Sequence, residues 1–251
     1  MIQIVPLTGI GEVSEGASLA VLLAEALAVQ GLILAASDIV VVTQKIVSKA
    51  EARFASLHDV EPGTEAKEIA GRVCKDPRFV ALVLAESTDV VRAAPHVLIT
   101  RHRLGHVMAN AGIDRSNLGP GEEERVLLLP RDPDASARRI AAELEERVGA
   151  APGVIISDSF GRPWRYGVTA VAIGAAGVPA LIDRRGASDR DGRRLEVTQI
   201  AFADMIANAA CLAMGEGAEG IPAALVRGCL ADGPEAPATV LVRPVEEDLF
   251  R

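Results

Sequence analysis

The chain has 251 residues, of which 49% are hydrophobic and 24% are charged, so it carries enough apolar material for a packed core. Its formal net charge of -8 leaves no basic surface for a nucleic-acid backbone, which excludes nucleic acid as a partner. The N-terminus has no basic stretch followed by an apolar block, and the apolar runs are broken far short of a membrane span. We therefore expect a globular, cytoplasmic protein with no membrane partner.

The first part of the chain alternates strand and helix patterns. Residues 2–6 predict a strand, and the Ala- and Leu-rich residues 18–30 predict a helix that stops at Gly31. The β-branched run at 39–42 predicts a strand buried on both faces. Ligands bind just beyond such strands in α/β proteins. The candidate binding residues at this point are Thr43, Gln44, Lys45 and Lys49.

The middle of the chain contains helices, a hairpin and a break. Thr64 and Asp76 are predicted to cap helices at 64–74 and 76–86. A hairpin at 97–111 would place Asp114 at the exit of its second strand. A further strand is predicted at 126–129 and a helix at 136–148. The turn-rich residues 130–135 mark a candidate subdomain break within one domain at 1–251.

The last part of the chain repeats the arrangement of an apolar strand followed by an acid. Residues 153–157 predict a strand that ends at Asp158, followed by Ser159 and a loop at 161–165. A charge-dense, mobile surface loop is predicted at 183–194. A helix at 198–213 then leads through the glycine-rich residues 214–221 to a strand at 223–227. The pattern as a whole predicts an α/β protein.

Cysteines and histidines give no metal or disulfide signal. Cys74, Cys211 and Cys229 are too few and too scattered for a disulfide framework or a paired zinc site, so we expect them to be buried as small apolar groups. The histidines lack metal-binding spacing on one helix. His102 and His106 span the predicted hairpin and are expected on its polar face.

Acidic residues and glycines are the stronger candidates for chemistry. Asp114 and Asp158 each follow an apolar strand, where a carboxylate can hold Mg²⁺ or Mn²⁺, although an Asp at such a position can also simply cap a turn. Residues 214–221 interleave three glycines with two glutamates, which suits a phosphate and its cation. They follow a helix C-terminus, so they do not form a Walker-type loop, and an ordinary helix stop is the alternative.

Two basic pairs are candidate clamps for a phosphate or a carboxylate. Lys45 with Lys49 forms one pair, and Arg162 with Arg165 forms the other. Solvated surface charges are the alternative for both pairs. From the residues alone, the sequence predicts an acidic, phosphate-handling enzyme with two metal ions.

Four segments, taken together, resemble the coenzyme F-420-0:L-glutamate ligase family. They are VVVTQKIVSKA at 40–50, NAGIDRSN at 110–117, VIISDSFG at 154–161 and MGEGAEGIPAALVRG at 214–228, in the order and with the spacing of the family. PLTGIGEV at 6–13 and GRPWRYGV at 161–168 extend the resemblance to nearly the whole chain. The resemblance implies a GTP-dependent ligase that adds γ-linked L-glutamate to the lactyl-phosphate tail of coenzyme F-420-0, in one or more rounds, through an acyl phosphate.

The resemblance also implies a ligand set by matching position. Asp114 and Asp158 would share one divalent cation, Mg²⁺ or Mn²⁺, and Ser159 with Glu216 would hold a second, with K⁺ as a further candidate ion. Ser159 stands where Thr is common in the family and keeps the hydroxyl ligand. The residues implied to contact GTP are Thr8, Gly9, Ile10, Gly11, Gln44, Lys45, Lys49, Asn117, Met214, Gly215, Glu216, Gly217, Ala218, Glu219, Gly220 and Ile221.

For the fold, the resemblance implies an unusual α/β (mixed α+β) arrangement, neither Rossmann nor P-loop, that forms an intertwined homodimer. Because the chain stops at Arg251, we expect the stand-alone form without a C-terminal reductase-like domain. Two other classes of protein stay open. A two-metal phosphohydrolase would use the same carboxylates with an activated water, and a non-catalytic deazaflavin-binding protein could dispense with the carboxylates.

Overall fold

The computed structural model describes residues 1–118, 124–229 and 232–248. Its strands are β1 (Gln3–Pro6), β2 (Ile39–Thr43), β3 (Phe54–Ser56), β4 (Ser87–Ala94), β5 (Val97–His102), β6 (Val107–Ala109), β7 (Arg125–Leu127), β8 (Gly153–Arg162), β9 (Arg165–Ala176), β10 (Ile182–Asp183), β11 (Gln199–Ile200) and β12 (Ala223–Arg227). Its α-helices are α1 (Leu19–Val29), α2 (Gln44–Ala50), α3 (Thr64–Val73), α4 (Pro77–Ala85), α5 (Pro133–Val148) and α6 (Phe202–Met214). The mixed α/β class is confirmed. The unusual fold and the intertwined dimer stay predictions.

A five-stranded sheet forms the centre, with the strand order β1-β12-β2-β8-β9. β2 and β8 are parallel, and the other neighbours in this sheet are antiparallel. Thr43, at the end of β2, lies opposite Ser157 in β8. The chain leaving β2 therefore enters α2 beside the part of β8 that carries Asp158 and Ser159.

Apolar side chains cover both faces of this sheet. Val40 and Val42 pack with α1 and α5 on one face, whereas Ile39 and Val41 pack with α6 on the other. Successive strand residues point to opposite faces, so a strand covered on both sides needs an unbroken apolar run. The buried strand predicted at 39–42 is confirmed.

Helix α5 approaches β9 at Gly174 more closely than a side chain would allow. A Cβ added to Gly174 would lie 2.4 Å from the carbonyl oxygen of Pro133. The next residue, Asp134, is buried, and its carboxylate accepts hydrogen bonds from the N–H groups of Ala175 and Ala238, each at 2.8 Å. Glycine at position 174 thus lets the start of α5 come close enough for Asp134 to bind the backbone at Ala175 and at Ala238.

A third apolar cluster is built from residues between Leu57 and Leu128. It packs α3 and α4 against the three-stranded sheet formed by β4, β5 and β6. A short ladder between β3 and β7 joins this cluster to the rest of the chain. The cluster ends just before the predicted break at 130–135, and the domain boundary itself stays a prediction.

A buried polar group lies at the end of β5. His102 is completely buried, and its Nε2 lies 3.4 Å from the carboxylate of Glu86. Arg53 and Arg103 form ion pairs with the same carboxylate at 3.0 and 3.1 Å. His102 first, and then the two arginines, lower the pKa of Glu86 to about 2. His102 was predicted on a polar face of the hairpin but is buried, because the chain entering β4, a strand that the sequence pattern missed, brings Glu86 against it.

Several helices and strands begin or end at residues other than those predicted. The helix predicted to be capped by Thr64 has its N-cap one residue earlier. The strand predicted to end before Asp158 continues to Arg162, because it pairs with β9 in a long hairpin. The helix predicted from residue 198 begins at Phe202, because β11 occupies the preceding residues.

Three further predictions concern surfaces. The segment 183–194 is almost entirely exposed, as expected, and its mobility stays a prediction. Cys74 was predicted to be buried but is exposed at the end of α3, whereas Cys211 and Cys229 are partly buried. No helix in the described part of the chain combines the length and the apolar character needed to cross a membrane.

Candidate functional site

A cavity of about 1070 Å³ opens at the carboxyl end of β2. Its walls come from chain segments that are distant in sequence, within 10–13, 43–49, 114–118, 157–159 and 211–222, together with Ala170. A large cavity that gathers titratable side chains is the first place to look for binding or catalysis. Most of the site residues predicted from the sequence lie in these segments.

Asp114 is held at the wall of the cavity by two residues of α2. Gln44 donates a hydrogen bond from Nε2 to Asp114 Oδ2 at 2.7 Å, and Lys45 Nζ lies 2.5 Å from the same oxygen. Ser48 in turn donates to the Gln44 side-chain oxygen at 3.0 Å. Because α2 starts directly after β2, the end of that strand fixes the carboxylate through these side chains.

A tight turn, and not a strand exit, delivers Asp114 to this position. Asn110, Ala111 and Gly112 form one turn of 3-10 helix with positive φ angles, after which Asp114 pairs with Leu127 through two backbone hydrogen bonds of 2.9 Å. The prediction that Asp114 directly follows a strand was therefore wrong. The left-handed turn still places the carboxylate in the cavity.

Asp158 lies inside β8, one residue after a bulge in its pairing with β9. Burial is the main factor that raises its pKa to about 7, and the charges of Asp114 and Glu216 add to it. The backbone N–H of Ser159 and the charge of Lys45 act in the opposite direction. Asp114, Asp158 and Glu216 come from three parts of the chain and line the same cavity.

Ser159 and Glu216 contact each other directly. The Ser159 hydroxyl lies 2.7 and 2.6 Å from the two carboxylate oxygens of Glu216. Cys211, one turn before the end of α6, donates from its thiol to Glu216 at 2.9 Å. Burial, followed by Glu216, raises the pKa of Cys211 to about 12, so the thiol keeps its proton and remains a donor.

The glycine-rich segment 214–221 already binds an oxyanion of its own. Gly217 donates its backbone N–H to the carboxylate of Glu219 at 2.7 Å. The same carboxylate lies over Gly215, where an added Cβ would come within 2.3 Å of it. A backbone that binds a carboxylate in this way can also bind a phosphate oxygen.

The cavity gathers some of the residues predicted to bind nucleotide and leaves others outside. Thr8 and Gly9 do not line it, and Gln44 reaches it only through Asp114. The residues that line it are Ile10, Gly11, Lys45, Lys49, Asn117, Met214, Gly215, Glu216, Gly217, Ala218, Glu219, Gly220 and Ile221.

The arginine pair proposed as a clamp lies elsewhere. Arg162 and Arg165 flank the tip of the hairpin formed by β8 and β9, do not line the cavity, and Arg162 donates to the Tyr166 carbonyl at 3.3 Å. Strand β8 continues past Asp158 and carries both arginines away from this cavity, and their role as a clamp stays a prediction.

The sequence interpretation missed Glu12, Arg115 and Cys211. Glu12 lies in the cavity wall and pairs with Lys49 at 3.0 Å, whereas Arg115 lines the cavity directly after Asp114. Glu12 and Arg115 sit within the segments PLTGIGEV and NAGIDRSN, which was the only available signal.

The donor set suits divalent cations that keep ligands from outside the protein. Among the described residues, no three His, Cys, Asp or Glu side chains converge to enclose a metal ion. Asp114 with Asp158, and Ser159 with Glu216, would each offer two oxygen ligands. Mg²⁺ is commonly bound by one or two carboxylates together with water and substrate phosphates. The residues therefore fit divalent metal ions whose remaining ligands are water or phosphate oxygens.

The sequence of this chain is similar to those of a known protein family. The sequence profile described as F420-0:Gamma-glutamyl ligase matches residues 9–228. A Coenzyme F420:L-glutamate ligase of Methanopyrus kandleri is 46% identical over 219 residues, which cover 85% of each chain. Proteins of the same name from Methanothermobacter thermautotrophicus and Halobacterium salinarum are 42% and 43% identical, over 100% and 97% of this chain and 99% and 93% of their own.

The match includes every segment that lines the cavity, from residue 10 to residue 222, and it extends over most of the chain and most of each relative. Similarity of this extent and identity shows common family membership. The chain belongs to the F420-0:Gamma-glutamyl ligase family.

Proposed function

We propose that this chain is a GTP-dependent ligase that adds γ-linked L-glutamate to the lactyl-phosphate tail of coenzyme F420-0, in one or more rounds. The observation that carries the proposal is the meeting of Asp114, Asp158 and the Ser159–Glu216 pair beside a glycine-rich segment in one cavity. Family membership supplies the substrate class, since the relatives are named for coenzyme F420 and L-glutamate.

The chemistry requires an activated acyl group, because a carboxylate and an amine do not join at neutral pH. A carboxylate oxygen of the acceptor would attack the γ-phosphorus of GTP, releasing GDP and forming an acyl phosphate. The amine of glutamate would then attack the acyl carbon and lose a proton. Phosphate would leave with the oxygen that came from the acceptor carboxylate.

The residues of the cavity suit the first of these steps. Two divalent cations, when bound, would screen the approach of one anion to another. Asp114, Asp158, Ser159 and Glu216 would hold them, and the backbone N–H groups of residues 214–221 would bind phosphate oxygens in place of the Glu219 carboxylate. Preorganised groups of this kind stabilise charge that develops in the transition state.

The first prediction is that GTP consumption and amide formation are coupled. Incubation with coenzyme F420-0, L-glutamate, Mg²⁺ or Mn²⁺ and either GTP or ATP should give a glutamylated product with GTP in preference to ATP. Mass spectrometry of the product and chromatography of the nucleotides measure both sides of the reaction. Equal turnover of ATP, or GDP release without an amide, would contradict the proposal and favour a phosphohydrolase.

The second prediction is a homodimer formed through the hairpin of β8 and β9. Tyr166 is fully exposed, and Trp164 is 81% and Val168 54% exposed near the hairpin tip. Exposed apolar groups clustered in this way mark interaction surfaces. We expect light scattering to give twice the chain mass of 26.2 kDa at micromolar concentration.

A hairpin variant provides the test of the surface. Tyr166→Glu combined with Val168→Glu should shift the mass toward the monomer, because a dimer interface would bury both new charges. Ile33→Glu, at a position that is 87% exposed beyond α1, is the matched control and should leave the dimer intact. A wild-type mass near 26.2 kDa would rule out the dimer.

A further inference from the structure

One cation that lines the cavity pairs with no carboxylate among residues 1–118, 124–229 and 232–248. The cationic side chains that line it within the described residues are Lys45, Lys49 and Arg115. Lys45 pairs with Asp114 at 2.5 Å, and Lys49 pairs with Glu12 at 3.0 Å. Arg115 forms no ion pair with any carboxylate in the described ranges. Its charge is therefore available to an anion that enters the cavity.

The ring of Phe79 packs against one face of the Arg115 guanidinium. The guanidinium carbon lies 5.7 Å from the centroid of the Phe79 ring, and Phe79 is itself buried in the third apolar cluster. The contact with the ring uses the face of the guanidinium. The N–H donors lie in the guanidinium plane, so they stay available for a planar oxyanion such as a carboxylate.

The proposed reaction brings in an anion that needs such a group. Glutamate attacks through its amine, so both of its carboxylates stay ionised and must be held in a cavity that already contains Asp114, Asp158 and Glu216. Those three carboxylates are assigned to the metal ions and cannot bind another anion, and the lysines are already paired. A guanidinium binds a carboxylate through two parallel hydrogen bonds. We propose that Arg115 binds a carboxylate of the incoming glutamate, an assignment that rests on the proposed ligase function.

The test compares Michaelis constants for the three substrates. Wild-type turnover comes first, because a wild-type protein that makes no amide contradicts the ligase function itself and not the role of Arg115. In an active enzyme, Arg115→Met should raise KM for glutamate by about 10- to 100-fold, the usual cost of a lost charge-assisted contact. KM for GTP and for the acceptor should stay as in the wild type. Arg115→Lys keeps the charge but loses the paired N–H donors of the guanidinium. Its KM for glutamate should lie between those of the wild type and Arg115→Met.

A matched control separates binding from structure. Arg125 also stacks on an aromatic ring, with its guanidinium carbon 4.0 Å from the centroid of Phe54, but it does not line the cavity. Arg125→Met removes a guanidinium–ring contact of the same kind outside the cavity and should leave KM for glutamate unchanged. A rise in KM for glutamate in Arg125→Met as large as in Arg115→Met would overturn the assignment.

Substrate analogues identify the carboxylate. Glutamine lacks the γ-carboxylate, and isoglutamine lacks the α-carboxylate. The wild type should prefer glutamate to the amide that lacks the bound carboxylate, because the neutral group has no charge for the guanidinium to bind. Arg115→Met should lose most of this preference. If Arg115→Met kept the wild-type preference for glutamate over both glutamine and isoglutamine, Arg115 would not bind glutamate. A change in KM confined to GTP or to the acceptor would show the same.

Discussion

Replacing Asp158 with Asn is expected to lower the ligation rate by about 100- to 1,000-fold, which is the usual cost of removing one strong electrostatic contact to a transition state. The amide keeps the shape of the side chain but loses the negative charge and a strong oxygen donor for a hard cation. The rate should be measured across a Mn²⁺ titration. Added metal should restore only part of the activity.

The same substitution is expected to raise the melting temperature of the metal-free protein above neutral pH. Burial, followed by the charges of Asp114 and Glu216, raises the pKa of Asp158 from 3.8 to about 7. The folded protein thus holds this proton more tightly than the unfolded chain, so its stability falls as the pH rises from about 4 to about 7. Asn never ionises, so the advantage of Asp158→Asn should be absent near pH 4 and largest above pH 7.

Asp59→Asn provides the control, since Asp59 is exposed outside the cavity and should change neither quantity. If Asp158 served only to cap a turn, its replacement by Asn would spare the rate, because Asn caps nearly as well as Asp. A variant with a near-normal rate at low Mn²⁺ would remove Asp158 from the metal site.

Replacing Gly174 with Ala is expected to cost about 3 kcal/mol of folding stability, at the upper end of the range for overpacked cores. The new Cβ would lie 2.4 Å from the carbonyl oxygen of Pro133, which is backbone and cannot rotate away. Helix α5 must move, and the hydrogen bonds that Asp134 accepts from Ala175 and Ala238 then lengthen. Urea unfolding followed by circular dichroism measures the loss.

Gly71→Ala is the matched control for this prediction. Gly71 lies within α3, is exposed, and has no atom within 4 Å of an added Cβ. Alanine in a helix interior is more stable than glycine by about 1 kcal/mol, so this variant should gain stability. Equal stability of the Gly174→Ala protein and the wild type would show that α5 does not pack against β9 as described.

The sequence pattern predicted a strand correctly where consecutive residues are all apolar and buried. The run at 39–42 predicted β2 correctly, because both faces of that strand are covered and every position is apolar. Strand β4 was missed because two register shifts in its pairing with β5 break the alternation of side chains. That error also misplaced His102, whose burial depends on the residue that precedes β4.

The candidate site was predicted in part for a similar reason. Asp114, Asp158 and Glu216 were identified within segments that resemble the family, and the fold brings them to one cavity. Arg162 was a candidate because it forms a basic pair with Arg165, whereas β8 continues past Asp158 at about 3.3 Å per residue and carries it away from the cavity. Arg115 gave no separate signal, because its orientation depends on a ring from a distant helix.

The fate of one oxygen atom tests the proposed ligase most directly. The acceptor, labelled with ¹⁸O in its terminal carboxylate, would be incubated with GTP, Mg²⁺ and glutamate, and the released phosphate analysed by mass spectrometry. Activation as an acyl phosphate predicts one labelled oxygen in each phosphate, with one amide formed for each phosphate released. Unlabelled phosphate released without amide would show that water attacks the nucleotide, and it would contradict the ligase mechanism.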